Sequence, residues 1–192
     1  WWEARKLLGG LLADSRAIAR EAEVFFHDTA ARHRLLRQLI AFHHLHRCLL
    51  RGIPPDEVAD RLARESRIAP PTPFAALDAI NHTLAAAARQ GVIDGFGAHT
   101  LSARMAAFAH GVTGCERIRT TPLPYAYSML IYRTTWAYCL LLPLALLEGA
   151  GWLTPLFCGL VGYTFLGLAE VSEELAHPFG QTENAMPLDA LC

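Results

Sequence analysis

The sequence predicts an all-α membrane protein, and three observations support this prediction. Residues 124–169 are almost entirely apolar over two helix lengths and carry only Arg133 and Glu148 as charged side chains. Residues 1–119 are polar by comparison and hold 16 of the 17 basic residues. Apolar residues recur there at helical spacing, and no alternating strand pattern competes with them. We therefore expect a C-terminal transmembrane helical hairpin that follows a cytosolic helical bundle.

The predicted hairpin consists of two apolar stretches, Pro124–Leu147 and Gly149–Ala169. The second stretch has no charged residue, and its length of roughly 31 Å as a helix matches a hydrocarbon core of about 30 Å. The segment Glu148–Gly151 favours a tight break between the helices, and Trp152 is placed as an interfacial aromatic anchor. A soluble domain with two buried core helices is the alternative, but neither stretch has the polar stripe of such a helix.

The distribution of charge predicts an orientation and excludes one class of partner. Beyond Arg119 the sequence holds one basic residue, Arg133, and six acidic residues. By the positive-inside tendency, we therefore expect residues 1–120 to be largely cytoplasmic. Acidic residues are interleaved with the arginines, which argues against nucleic-acid binding. We expect a cytosolic helical region over residues 1–120, a transmembrane hairpin over 121–171 and a cytosolic segment over 172–192.

Five cysteines are present, an odd number without any C-x-x-C spacing, which argues against a disulfide framework or a zinc finger. The chain begins at Trp1, directly in an amphipathic pattern and without an initiator Met. We therefore expect it to be a piece of something longer.

Five helices are predicted ahead of the hairpin from apolar periodicity and from helix start and stop signals. Asp28 and Thr29 offer an N-cap for the second helix, and Thr72 or Pro73 precedes the fourth. The segment Gly91–Gly97 is expected to be a joint before the fifth. The predicted spans are about residues 1–24, Ala30–Leu50, a short helix that begins at Pro55, Phe74–Ala88, and Ala98–Gly111.

His43 and His46 lie three residues apart on one predicted helix face, beside His44 and Cys48, and form the candidate metal site. Zinc requires three or four converging ligands, and only two fit one face, so packing between helices is the favoured interpretation. We find no nucleophile with a matching base, no Gly-rich phosphate loop and no cofactor motif. The sequence therefore predicts neither catalysis nor a cofactor.

Arg133 lies within the first predicted membrane helix. A mid-membrane Arg costs about 2.5 to 3.5 kcal/mol on insertion scales, so it should face protein, water or headgroups. One interpretation is a structural ion pair, with Glu170 as the candidate partner, or snorkelling to the headgroups. The other is a role near a permeation path.

Three separated motifs occur along the chain: W-E-A-R-K-L from Trp2, G-C-E-R-I with T-P-L-P from Gly114, and E-E with P-F-G and N-A-M-P-L from Glu173. In this order they resemble the signatures of the bestrophin ion-channel family, particularly its bacterial branch, and they cover essentially the whole chain. The resemblance marks seven motif residues: Glu116, Arg117, Pro122, Pro124, Pro178, Phe179 and Gly180.

The resemblance implies a homopentamer in the bacterial inner membrane, with mainly helical subunits around one pore and a large cytosolic vestibule. Its partners would be further copies of the chain, membrane lipid and small inorganic ions. The pore would have an apolar neck in the membrane and an aperture in the cytosol. The neck and the first of four membrane helices would precede Trp1, so residues 1–120 would begin with the lower part of a pore helix.

The cytosolic aperture, by this resemblance, falls on Phe96 in the loop Asp94–Gly97, with Asp94 beside it. A ring of Phe side chains would form an apolar gate, which hydrated ions cross only where it is wide enough to stay wet. The alternative is that Phe96 packs into its own subunit at the joint between two helices.

Animal bestrophins follow P-F-G with a run of acidic residues that binds calcium. Here only Glu183 and Asp189 follow Gly180, and they fall short of the six to eight oxygen ligands that calcium prefers. We expect no activation by calcium. The resemblance thus implies a channel subunit for chloride or other small monovalent ions, and a membrane-anchored metal-binding protein or a non-conducting helical scaffold is the alternative.

Overall fold

A computed structural model describes residues 1–121 and 125–191 of the chain. Over these residues the structure is all-helical and contains no strand. Pro122 and Pro124, two of the predicted motif residues, lie outside the described residues. In the described ranges, seven α-helices and two short 3₁₀ turns follow in order: α1 Trp2–Phe25, α2 Thr29–Arg51, α3 Glu57–Glu65, α4 Pro73–Arg89, α5 Gly95–Thr120, α6 Tyr125–Ala150, a turn Gly151–Leu153, α7 Thr154–Ala176 and a turn Leu188–Leu191.

Local capping sets the starts of the predicted helices. The Asp28 carboxylate accepts hydrogen bonds from the backbone N–H groups of Ala30 and Ala31 at 2.9 and 3.2 Å, which confirms it as the N-cap of α2. The Thr72 hydroxyl accepts from the Ala75 N–H at 3.2 Å at the start of α4. These short-range signals are readable from sequence because donor and acceptor are two or three residues apart.

The chain divides into two compact units. The helical unit comprises residues 2–120 and 186–192, and therefore holds α1 to α5 together with the last 3₁₀ turn. The hairpin unit comprises Trp1 and residues 121–185, with α6 and α7.

In the helical unit, α1 packs antiparallel on α5 through three glycines of α5. A Cβ atom at Gly97 would lie only 2.8 Å from the Phe25 Cγ, so the two backbones approach more closely there than any larger residue permits. The close pairs are Gly97 with Phe25, Gly111 with Leu11, and Gly114 with Leu7.

Helices α2 and α5 meet in the core of the helical unit, to which α1 and α4 also contribute buried residues. Phe42 and Phe108 are fully buried, and their rings meet edge to face with centroids 4.9 Å apart. A buried polar contact accompanies them, in which the Thr83 hydroxyl donates to the Gln38 Oε1 at 2.8 Å across α4 and α2. Burial of these groups determines which faces of α2 and α5 point toward the core.

The hairpin unit differs from the predicted boundaries at its break. Helix α6 continues to Ala150, and the chain turns at Gly151–Leu153, where Gly151 has a φ of +50°. The predicted break, Glu148–Gly151, overlaps this turn only at its last residue, because α6 continues until a glycine with positive φ ends it. Helix α7 begins at Thr154 and extends to Ala176 rather than Ala169.

Both hairpin helices are long and apolar enough to cross a membrane, over Ala126–Leu146 and Gly151–Ala176. Most of their large apolar side chains are exposed, and Trp152 in the turn is the most exposed of these at 87%. Such surfaces are rare on soluble proteins and suit a lipid environment. Arg133 and Glu170 are both exposed, and among the described residues no ion pair joins them.

Candidate functional site

Phe96, the predicted aperture residue, lies in the first turn of α5 and not in a loop. The Asp94 Oδ1 accepts from the Gly97 N–H at 2.6 Å, and the Asp94 carbonyl accepts from the Ala98 N–H at 2.9 Å. Asp94 therefore caps α5, and the expected joint ends at this residue. Sequence reasoning treated Gly95 and Gly97 as helix breakers, whereas Gly97 is needed for close packing.

The Phe96 side chain is 70% exposed although it lies on a rigid turn. Its ring meets Phe25 edge to face with centroids 5.9 Å apart. A backbone hydrogen bond joins the end of α1 to the segment before α5, because the His27 N–H donates to the Val92 carbonyl at 3.1 Å. The helical unit therefore presents a large apolar ring to its surroundings from a well-supported backbone, and does not pack that ring into its own core.

His43 and His46 are buried, as the packing interpretation expects. Burial, and to a smaller extent the charge of a neighbouring imidazole, lowers the pKa of each to about 4. The His43 Nε2 is 2.7 Å from the Ser15 hydroxyl, and His46 stacks on Phe42 with ring centroids 5.2 Å apart. Among the described residues, no group of three or more His, Cys, Asp or Glu side chains converges to hold a metal.

An ion-pair cluster that sequence reasoning missed joins α2 to the end of the chain. The Arg47 Nη1 donates to the Asp189 Oδ1 at 2.6 Å, and the Arg51 Nη2 donates to Asp189 Oδ2 and to the Met186 carbonyl, each at 3.3 Å. Arg47 also pairs with Asp56, whose Oδ1 caps α3 through the Ala59 N–H at 2.8 Å. We call Arg47, Arg51, Asp56 and Asp189 the arginine clasp.

One sequence signal points to the clasp. Arg47 and Arg51 are four residues apart, a spacing that places two guanidinium groups on one helix face. Nothing in the sequence indicates which carboxylate they share, because Asp189 lies 142 residues after Arg47. The hydrogen bond from Arg47 holds the pKa of Asp189 below its ordinary value, so Asp189 is committed to the arginines as a carboxylate.

The family-motif residues occupy two places. In α5, Cys115 between Gly114 and Glu116 is fully buried, and burial raises the pKa of its thiol to about 12, so this thiol is unreactive. Arg117 lies in the last turn of the same helix, on its exposed side. The motif thus marks where α5 packs on α1.

The second motif forms a tight turn directly after α7. Pro178 and Phe179 are buried, and the Gly180 N–H donates to the His177 carbonyl at 3.0 Å. A Cβ at Gly180 would lie 3.2 Å from that carbonyl oxygen, so the turn leaves little room for a side chain. Further along, Asn184 bonds to Glu174 and accepts from the Trp1 indole N–H at 2.9 Å.

The predicted family is confirmed by sequence comparison. The family described as Bacterial/Fungal Bestrophin protein matches residues 1–192, so the chain belongs to this bestrophin family. It is 40% identical over 214 residues to a voltage-dependent anion channel-forming protein of Mesorhizobium japonicum, covering 100% of this chain and 63% of that protein. It is 37% identical over 195 residues to the voltage-dependent anion channel-forming protein YneE of Escherichia coli K12, covering 99% and 64%. The chain thus spans less than two thirds of these relatives.

Solved structures agree with the fold. A crystal structure of a bacterial bestrophin homologue from Klebsiella pneumoniae matches with a TM-score of 0.92 and 31% identity, over 99% of this chain and 73% of that one. A mutant of the same homologue matches with a TM-score of 0.93 and 30% identity, over 100% and 74%. The all-helical, bestrophin-like fold expected from the sequence is confirmed.

Proposed function

We propose that this chain is part of a subunit of a bestrophin-like homopentameric channel that conducts chloride or other small monovalent ions by passive diffusion. It would sit in the bacterial inner membrane through α6 and α7, with residues 1–120 largely in the cytoplasm. The names of its relatives, which describe anion channel-forming proteins, support this function. The membrane-length apolar helices support the location. No catalysis is part of this function.

Phe96 carries the proposal. An exposed aromatic ring on a capped helix turn is unfavourable in water. Its exposure is explained if the Phe96 rings of several subunits face a common axis. There the rings would form an apolar constriction, and its width would decide whether the passage stays wet. Asp94, two residues earlier, would place a carboxylate beside this constriction and bias the local ion concentration.

The test is ion flux through liposomes that contain the full-length protein, under opposed chloride and sodium gradients, with the wild type and Phe96→Ala. The matched control is Phe74→Ala, which removes another exposed Phe of the helical unit, 47% exposed on α4. We expect Phe96→Ala to raise conductance or to admit larger ions, and Phe74→Ala to leave both unchanged. The reversal potential identifies the favoured ion.

Two results would contradict the proposal in different ways. An assembled wild-type protein that passes no ion, with Phe96→Ala equally silent, would exclude the channel and favour a helical scaffold. Flux in all three proteins with identical conductance and size dependence would retain the channel and remove the aperture from Phe96.

A further inference from the structure

A basic recess lies between the start of α2 and the end of α3, and its lining includes neither Phe96 nor any residue of the arginine clasp. Its volume is about 240 Å³, and we call it the arginine recess. Its lining residues are Ala30, Arg34, Arg37, Glu65, Ser66 and Arg67. Three guanidinium groups and one carboxylate therefore border a single opening, in a chain whose formal net charge is only −1.

The guanidinium groups of the recess lack carboxylate partners among the described residues. Arg34 and Arg67 form no ion pair there, and Arg37 donates from its Nε only to the His33 carbonyl of its own helix, at 3.4 Å. Glu65 is instead within 4.0 Å of Arg61 on α3. Three like charges around one opening repel each other, and the field they create concentrates anions.

Ser66 supplies an independent sign of a ligand. Its side chain is only 8% exposed, and its hydroxyl has no hydrogen-bond partner among the described residues. A buried hydroxyl without a partner is destabilising, so such groups normally find one. An oxyanion in the recess would accept from this hydroxyl and satisfy it.

The backbone at Arg67 adds to this picture. Arg67 has a φ of +58°, a conformation that glycine adopts readily and other residues avoid. The chain reverses there as α3 ends, where the Ile68 N–H donates to the Ala63 carbonyl at 2.8 Å. An arginine at a position suited to glycine places a guanidinium at the recess at the expense of backbone strain.

From these contacts we propose that the arginine recess binds a soluble phosphate-bearing anion of about the size of pyrophosphate. Guanidinium groups bind phosphate oxygens through paired N–H donors, and a hydroxyl suits one more oxygen. Chloride, with one atom, cannot engage three separated guanidinium groups in a recess of this volume. The first turns of α2 add the positive end of a helix dipole.

Binding of pyrophosphate to the full-length protein tests this assignment, by calorimetry in phosphatidylcholine nanodiscs and a chloride background. We expect one saturable site per chain. Arg67→Gly and Arg34→Gln should each weaken binding about tenfold, because each removes a charged hydrogen-bond donor. The matched control Arg16→Gln, which removes an exposed charge on α1, should bind as the wild type does.

Arg67→Gly protects the test from a folding artefact. Glycine relieves the positive φ, so this variant should melt at or above the wild-type temperature while it loses affinity. Ser66→Ala should weaken binding severalfold at an unchanged net charge. Binding that is absent in the wild type, or equal in Arg67→Gly, Arg34→Gln and Arg16→Gln, would overturn the proposal.

A second arm separates a soluble anion from a lipid headgroup, since both carry phosphate. The titration is repeated in nanodiscs that contain phosphatidylglycerol. An unchanged affinity supports the soluble anion, whereas loss of pyrophosphate binding would assign the recess to headgroups and contradict the proposed source. The readout is binding and not flux, so its failure leaves the proposed channel function untouched.

Discussion

Arg47 and Asp189 form a direct ion pair between α2 and the last turn of the chain, with Arg47 Nη1 and Asp189 Oδ1 2.6 Å apart. Arg51 completes the same contact from the next turn of α2, at 3.3 Å from Asp189 Oδ2. Because Arg47 also holds Asp56 at the start of α3, one arginine side chain joins three segments of the helical unit.

We expect Asp189→Asn to lower stability by about 0.5 to 1 kcal/mol at neutral pH, because the carboxylate is largely exposed and screened. The pKa of Asp189 lies below its ordinary value in the folded protein. The contribution of the Asp189 carboxylate to stability is therefore complete above about pH 4, the pKa of an Asp in the unfolded chain. It is lost as the pH falls through the lower pKa of Asp189 in the folded protein. Thermal melts at pH 7 and at pH 3 measure the effect, with Asp78→Asn as an exposed control. Equal melting of Asp189→Asn and wild type at pH 7 would contradict the role of the clasp.

Calcium should not activate the proposed channel. Asp189, one of the two acidic residues after Gly180, is held by Arg47 and Arg51, and cation binding there would have to break both ion pairs. Oxygen ligands sufficient for calcium are not supplied by Glu183 alone. Flux through the full-length protein at increasing calcium measures this directly. Steep activation at micromolar calcium would show that the expectation is wrong.

The buried histidines predict loss of stability in mild acid. Each has a pKa of about 4 in the folded chain against 6.5 for a free imidazole. The unfolded chain therefore binds more protons between these values, and stability falls as pH drops from 6.5 toward 4. At pH 5 the loss is roughly 2 kcal/mol for each histidine.

The difference in melting temperature between pH 7 and pH 5 measures this loss. It should shrink in His43→Gln and in His46→Gln, because neither variant has a buried imidazole to protonate at that position. The exposed His82→Gln is the matched control and should keep the wild-type difference. If all three variants keep it, the acid sensitivity arises elsewhere.

Asp94 allows its charge to be separated from its capping role. Asparagine caps helices about as well as aspartate, so Asp94→Asn should keep the stability of the wild type, whereas Asp94→Ala should lose about 1 kcal/mol. If Asp94 lies beside the proposed aperture, Asp94→Asn should also change conductance or ion preference. Asp28→Asn, the same exchange at the cap of α2, is the control. A change of conductance in both variants would point to a general charge effect and not to the aperture.

The sequence was sufficient for the features that depend on nearby residues. Asp28 and Thr72 could be identified as caps because each bonds to a backbone N–H within three residues. The hairpin was predictable because lipid requires long apolar stretches in any context. Family membership followed from motifs whose order along the chain is itself specific.

Features that depend on distant residues were not predictable. Gly95 and Gly97 resemble helix breakers, whereas α5 begins at Gly95 and the contact with Phe25 explains why Gly97 lies inside the helix. The partner of Arg47 lies near the other end of the chain. Ser66 and Arg34 line the same recess because α2 and α3 pack together. The hydrophobic periodicity of the sequence does not predict this contact between helices.

The contact of α1 with α5 imposes a rule on how this sequence can change over evolution. From Phe25 to Leu11 the register advances fourteen residues along α1, and from Gly97 to Gly111 it advances fourteen along α5 in the opposite direction. A residue larger than glycine at Gly97 thus requires a smaller partner than phenylalanine at position 25, or a displaced helix. Related chains should therefore exchange size between these two positions in a correlated manner. Any substitution that shifts the register between α1 and α5 would also move Phe96. The ring proposed to face the ions is therefore constrained in evolution by the neighbouring contact of Gly97 with Phe25.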